Sequence, residues 1–136
     1  MPQPLPDRVQ AVCRGLGWPL LLTLLLVQVW ALYLVVPGPG DPWISGQDKL
    51  AHAVLFGLPF ALALLLGSRW ASVGILAHAV LSEPLQGLLT STRTPDPWDT
   101  VADLTGIAIA AAVVELVRRR ARTAPSTTPD TARVAP

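Results

Sequence analysis

Charge is what this sequence has least of. Only 14% of its residues are Asp, Glu, Lys or Arg, where a water-soluble domain carries about 25%. In contrast, 51% are hydrophobic and the mean hydropathy is +0.49, so lipid is the expected solvent. Cysteine occurs once, as Cys13, which excludes an internal disulfide and a cysteine zinc cluster. That thiol lies near a membrane helix and is open to acylation, although a plain thiol accounts for it. Lysine also occurs once, as Lys49, among arginines and abundant alanine, a composition that suggests a GC-rich bacterial genome. No H-E-x-x-H pair, serine-nucleophile motif or cysteine-nucleophile motif is present, and the chain has no internal repeat. Its 136 residues make one domain.

Four apolar segments are present, at about 18–36, 50–67, 70–89 and 100–117. Each approaches the ~20 residues that a helix needs to cross a hydrocarbon core. Alternation is absent, and backbone groups in lipid must pair within their own segment, so the segments are read as helices. The first exceeds the apolar run of a signal peptide and lacks a small-x-small cleavage site after it, so it is read as a retained helix. Pro37-Gly38-Pro39-Gly40-Asp41-Pro42 ends it. Gly67-Ser68-Arg69 is a short turn that makes the second and third helices an antiparallel hairpin, and the stretch 91–97, with two prolines, ends the third. The expected fold is therefore all-α, a four-helix polytopic transmembrane bundle over 18–117. It is preceded by a cytoplasmic segment, 1–17, and followed by a tail, 118–136, that is basic and then disordered.

The charges that do occur are sorted. Arg8, Arg14, Arg69, Arg118, Arg119, Arg120, Arg122 and Arg133 fall on one side of the expected membrane, with Asp7, Glu115 and Asp130. Lys49 and Arg93 fall on the other, with Asp41, Asp48, Glu83, Asp96, Asp99 and Asp103. The basic excess marks the cytoplasmic face, so both termini are expected inside. Trp43 and Trp98 on the outside, and Trp18 and Trp70 on the inside, fit interfacial belts. The arginine cluster at 118–122 reads as a topology anchor for anionic lipid rather than a nucleic-acid site.

The polar residues of interest gather at the outer face. Asp48 and His52 are four apart at the start of the second helix and share a face, with Lys49 between them. Glu83 and Gln86 lie three apart near the outer end of the third. Arg93 is in the loop that follows, and Asp99 and Asp103 are four apart at the start of the fourth. Intramembrane ionisable groups are functional candidates, although the same residues suit a structural clamp in which Glu83 and His52 pair with Lys49 and Arg93. His78, off the face of Glu83, reads as an interhelical hydrogen-bonding group. Ala102, Gly106 and Ala110 form a small-residue stripe suited to close helix packing at Gly106.

The order Asp48-Lys49-x-x-His52, Glu83-x-x-Gln86, Arg93, Asp99-x-x-x-Asp103-x-x-Gly106 resembles the VanZ-like family. The resemblance covers residues 48 to about 112; where that family often has a second glycine, this chain has Ala110. It implies a bacterial plasma-membrane protein, and its namesake is associated with low-level resistance to the glycopeptide-type antibiotic teicoplanin. With the outward-facing site, it leads to the expectation of a binder of an envelope ligand, such as a lipid-linked cell-wall precursor head group or a glycopeptide. Arg93 and Lys49 would take phosphate or carboxylate, and Asp48, Glu83, Asp99 and Asp103 would take sugar hydroxyls, amines or a cation. The alternative is a membrane-embedded hydrolase or transferase, in which His52 acts as a general base held by Asp48 or joins the carboxylates around a divalent metal. Membrane lipids are expected partners and nucleic acid is not. A homo-oligomer would let so small a bundle serve as a carrier.

Overall fold

A computed structural model describes residues 7–35, 46–90 and 96–123, with side chains from residue 15 onward. Residues 36–45, with the proline–glycine run and Trp43, residues 91–95, with Arg93, and the tail beyond 123 lie outside the described residues. Within them the chain is all helical. Helix α1 (Asp7–Val29) runs directly into a π-helical turn (Trp30–Leu34), and α2 (Gln47–Leu65), α3 (Arg69–Leu89) and α4 (Pro97–Thr123) follow.

Two helices run further than their apolar cores. Helix α1 begins at Asp7, because residues 7–14 contain neither glycine nor proline, and it passes through Pro19. A proline inside a helix deletes one backbone bond. Helix α4 continues through Arg118–Arg122 to Thr123, since arginine is a good helix former. Its start is set by Asp96. The Asp96 carboxylate accepts from the Trp98 N–H at 3.0 Å, and its carbonyl accepts from the Asp99 N–H at 2.9 Å. Pro97 takes the first helical position, where a missing N–H does no harm.

The α2–α3 turn is as short as the sequence suggests. Gly67 takes φ +69°, and its N–H donates to the Leu64 carbonyl while that of Ser68 donates to Ala63, both at 3.0 Å. This pair of bonds closes a helix end through a left-handed residue, which glycine adopts without steric penalty. Ser68 then caps α3, its Oγ accepting from the Ala71 N–H at 3.3 Å.

Helix α2 is central. It meets α4 along the most extensive seam in the molecule and also packs on α3 and α1. The α2–α4 seam is made by glycine. A Cβ at Gly57 would meet the Gly106 carbonyl oxygen at 2.9 Å, and a Cβ at Gly106 would overlap the Ala53 carbonyl. The helix–helix contact expected at Gly106 is therefore present. Helix α1 packs on α2 near the turn, where the Leu66 side chain fills the space that a Cβ on Gly17 would need. Among the described residues it approaches α3 closely only through the π-helical turn.

The bundle is apolar outside and partly polar within. Leu22, Leu58, Val80, Ile109 and Val113 point outward, whereas Gln28, His52, Ser82, Glu83, Gln86 and Asp103 are buried, the reverse of a water-soluble domain. Three stretches, Gly15–Leu34, Gln47–Leu65 and Pro97–Thr123, are long and apolar enough to cross a membrane. Helix α3 is not among them: Arg69, His78, Glu83 and Gln86 lower its hydropathy.

Candidate functional site

The site is built where the N-terminal ends of α2 and α4 meet the C-terminal end of α3. Its deepest member is Asp103, fully buried one turn along α4 from Asp99. Its Oδ1 lies 2.9 Å from His52 Nδ1 and its Oδ2 lies 2.9 Å from Ser82 Oγ. Three helices are thereby joined through one carboxylate. An ionised Asp103 can only accept, so in this bond the His52 proton sits on Nδ1. The other ring nitrogen, Nε2, lies 3.6 Å from Asp99 Oδ2. The Ser82 hydroxyl also lies 2.9 Å from the Ala79 carbonyl, so its single proton serves one acceptor at a time.

Above this pair sits Lys49. Its ammonium contacts Asp48 at 2.9 Å and both Asp96 and Asp99 at 2.5 Å. A lysine carries three N–H donors, and three carboxylates take them. Lys49 therefore binds α2 to the start of α4. The hydrogen bond from Lys49 holds the Asp96 carboxyl below the usual carboxylate range. Asp48 turns outward to Lys49, with more than half of its side chain exposed, and it is Asp103 from the neighbouring helix that holds His52 Nδ1. Spacing along one helix points to the Asp48–His52 face; the closer partner comes from the facing helix.

Glu83 and Gln86 are buried on the same side of α3. One Glu83 oxygen, Oε2, accepts the Asp96 backbone N–H at 2.6 Å, which ties α3 to the start of α4. The other, Oε1, is buried without a hydrogen-bond partner among the described residues, and so is Gln86 Nε2. Of the expected set, Asp48, Lys49, His52, Asp99 and Asp103 form one connected network. Glu83 joins it through Asp96, and Gln86 lies beside Glu83. Arg93 is outside the described residues.

Sequence reasoning overlooked two members of the site, Asp96 and Ser82, and one residue outside it, Tyr33. Asp96 was visible as an Asp-Pro helix start but counts there only as charge. Ser82 is a small hydroxyl in an apolar run. Tyr33, in the π-helical turn, pairs its hydroxyl with His78 Nε2 at 2.9 Å, which supplies the interhelical bond expected of His78. At the opposite end, Arg118 Nη2 donates to the Leu64 carbonyl at 2.6 Å, so one arginine of the basic cluster also closes the C-terminal end of α2.

A buried carboxylate–imidazole pair can hold an oriented base or move a proton. Among the described residues, no group of three or more His, Cys, Asp or Glu side chains is arranged to hold a metal ion. Compared with family models, curated proteins and solved structures, the chain matches none.

Proposed function

We propose that the chain is a VanZ-like protein of the bacterial plasma membrane that binds the polar head group of an envelope ligand at the outer ends of α2, α3 and α4. The observation that carries this reading is the pair of unsatisfied groups, Glu83 Oε1 and Gln86 Nε2. A buried polar group left unpaired costs ~1–3 kcal/mol, and here an acceptor and a donor stand three residues apart on one helix face. A hydroxyl offers both a donor and an acceptor, so a sugar hydroxyl of a lipid-linked cell-wall precursor matches the pair. Lys49 is saturated by carboxylates, which leaves Arg93 as the partner for phosphate. In this reading α3 is the fourth crossing. Its polar groups face its neighbours, both termini are cytoplasmic by the arginine bias, and any glycopeptide or teicoplanin resistance is a consequence of occupying the same outer ligand.

The second reading, a membrane-embedded hydrolase or transferase, is favoured by the His52–Asp103 pair, whose geometry suits a general base. One experiment separates them. Purified protein in nanodiscs is offered lipid-linked cell-wall precursors and examined by native mass spectrometry. Saturable binding without a change of precursor mass, weakened in Glu83→Gln, is the expected result. A new precursor mass that disappears in His52→Ala supports the enzyme, and no binding by the intact protein overturns both.

A further inference from the structure

The end of the bundle away from the His52–Asp103 pair carries the opposite charge. Helix α4 outlasts its apolar stretch, which ends at Val117, and stays helical to Thr123 through Arg118, Arg119, Arg120 and Arg122. The fold brings a second helix end to this one. Arg118 Nη2 donates to the Leu64 carbonyl, which also accepts the Gly67 N–H at 3.0 Å, so the end of α4 rests on the α2–α3 turn. Two residues beyond Gly67, at the start of α3, Arg69 is exposed, with its guanidinium 5.3 Å from the centre of the Trp70 ring. Five arginines of two helices therefore meet at one end. Glu115 is the only acid among the described side chains there, and it is tied to Arg119 at 2.7 Å.

These arginines are not equivalent. Positions four apart share a helix face, so Arg122 stands one turn beyond Arg118, on the side of the α2–α3 turn. Arg122 is exposed, and among the described residues neither it nor Arg69 is in an ion pair. Arg120, two positions from each of Arg118 and Arg122, points away from that side at ~100° per residue.

Depth and charge select the partner. From Arg118 to Arg122 the helix advances ~6 Å, and the head-group layer on each side of a bilayer is ~5–8 Å thick. The guanidiniums thus stand at the level of lipid phosphates. Trp70, 74% exposed, fits the same level, where indole rings gather. Leu65, on the last turn of α2, is exposed beside them.

We infer that Arg69 and Arg122 form a binding site for the phosphate of an anionic phospholipid, whose acyl chains run along Leu65 and Trp70. A guanidinium presents a fork that matches phosphate. A choline head group is disfavoured, because it adds a cation to five arginines opposed by one glutamate. A nucleic acid is disfavoured because it would have to enter the head-group layer. The run Arg118–Arg122 alone would anchor the helix by charge; a phosphate held between two helix ends is a separate property, and Arg118 positions it by fastening those ends together. This site lies at the opposite end of the bundle from His52 and Asp103 and does not rest on the reading given to them.

Lipid titration tests the inference. The full chain in neutral detergent is titrated with dioleoylphosphatidylglycerol or dioleoylphosphatidylcholine, and bound lipid is counted by native mass spectrometry. Phosphatidylglycerol should bind about tenfold more tightly or better, and excess inorganic phosphate should not displace it. Arg69→Gln and Arg122→Gln should each weaken it about fivefold, the worth of one arginine beside anionic lipid. Arg120→Gln, on the other side of α4, should weaken it less than about twofold. Equal affinity for the two lipids would overturn the site, as would displacement by inorganic phosphate, which marks a free-anion site. A loss in Arg120→Gln as large as that in Arg122→Gln would also overturn it and leave only the diffuse charge of the cluster. Should Arg122→Gln fail to fold, the comparison of Arg69→Gln with Arg120→Gln decides.

Discussion

The seam between α2 and α4 and the gap between α1 and α3 are opposite answers to the same problem. Both bring glycine and buried polar side chains into an apolar span. Along α2–α4, Gly57 and Gly106 allow backbone to touch backbone, and the polar groups His52 and Asp103 are bonded to one another. Between α1 and α3, Gly74 opens onto empty space and Gln28 is bonded to nothing among the described residues. The lesson is that a small residue or a buried polar residue has no fixed meaning in such a bundle. Its effect depends on whether the facing helix closes on it. The first seam is a structural clasp, and the second is room kept open.

The sharpest way to break this comparison is to enlarge one glycine in each. Gly106→Leu forces a side chain into the Ala53 carbonyl and should destabilise by about 3 kcal/mol or more, the upper end of overpacking. Recovery of monodisperse protein in detergent should collapse. Gly74→Ala, whose added carbon meets nothing, should leave the melting temperature within the small range of surface changes, about 0.5 kcal/mol. Similar losses in both would mean that the α1–α3 gap closes in the membrane.

The next contrast is between the buried polar groups. Asp103→Leu removes the acceptor that faces His52 Nδ1, while Ser82 keeps the Ala79 carbonyl, and should cost about 1–3 kcal/mol. Gln28→Leu removes a group that has no bond to lose, so thermal stability in detergent should hold or rise. A fall in Gln28→Leu comparable to that of Asp103→Leu would show that Gln28 has a protein partner after all.

Much of this was legible in the sequence, and what was not shares one cause. Helix number, the 67–69 hairpin turn and close packing at Gly106 follow from apolar length, a glycine–serine turn and a small-residue stripe, all properties of one segment at a time. Asp99 and Asp103 were readable as one face for the same reason, since they are four apart on one helix. The choice of Asp103 rather than Asp48 to hold His52 depends on how α4 is rotated against α2, and no spacing within either helix encodes that. Ser82 and Tyr33 were missed on the same ground. The early start of α1 was missed because apolar length marks where lipid begins, whereas the backbone stays helical until a breaker stops it.

The smallest expected effect concerns the cap of α4. Lys49 lowers the Asp96 carboxyl in the folded protein, so the folded state favours its ionised form. The sign follows: this stabilisation is present above the ordinary aspartate range, ~3.9, and is lost as pH falls through the lower folded value. Asp96→Asn should therefore lower the melting temperature slightly at pH 7, and the difference from the unaltered chain should shrink in acid. A difference that stays constant with pH would assign the effect to the backbone cap alone.

The π-helical turn at Trp30–Leu34 works as a phase shifter. An α-helix advances about 100° per residue, and a π-turn lodges one surplus residue without ending the helix. The chain beyond Val29 is thereby turned out of step with the chain before it. That offset lets one continuous rod keep Gln28 buried beside the α1–α3 gap and, a few residues later, close on α3 with Tyr33 against His78. Were the surplus residue deleted, the rod would straighten into ordinary helix and Tyr33 would swing by about 100°. Among the described residues this is the one point at which that rod closes on α3; it would come undone, and the gap would lose the pin at its end.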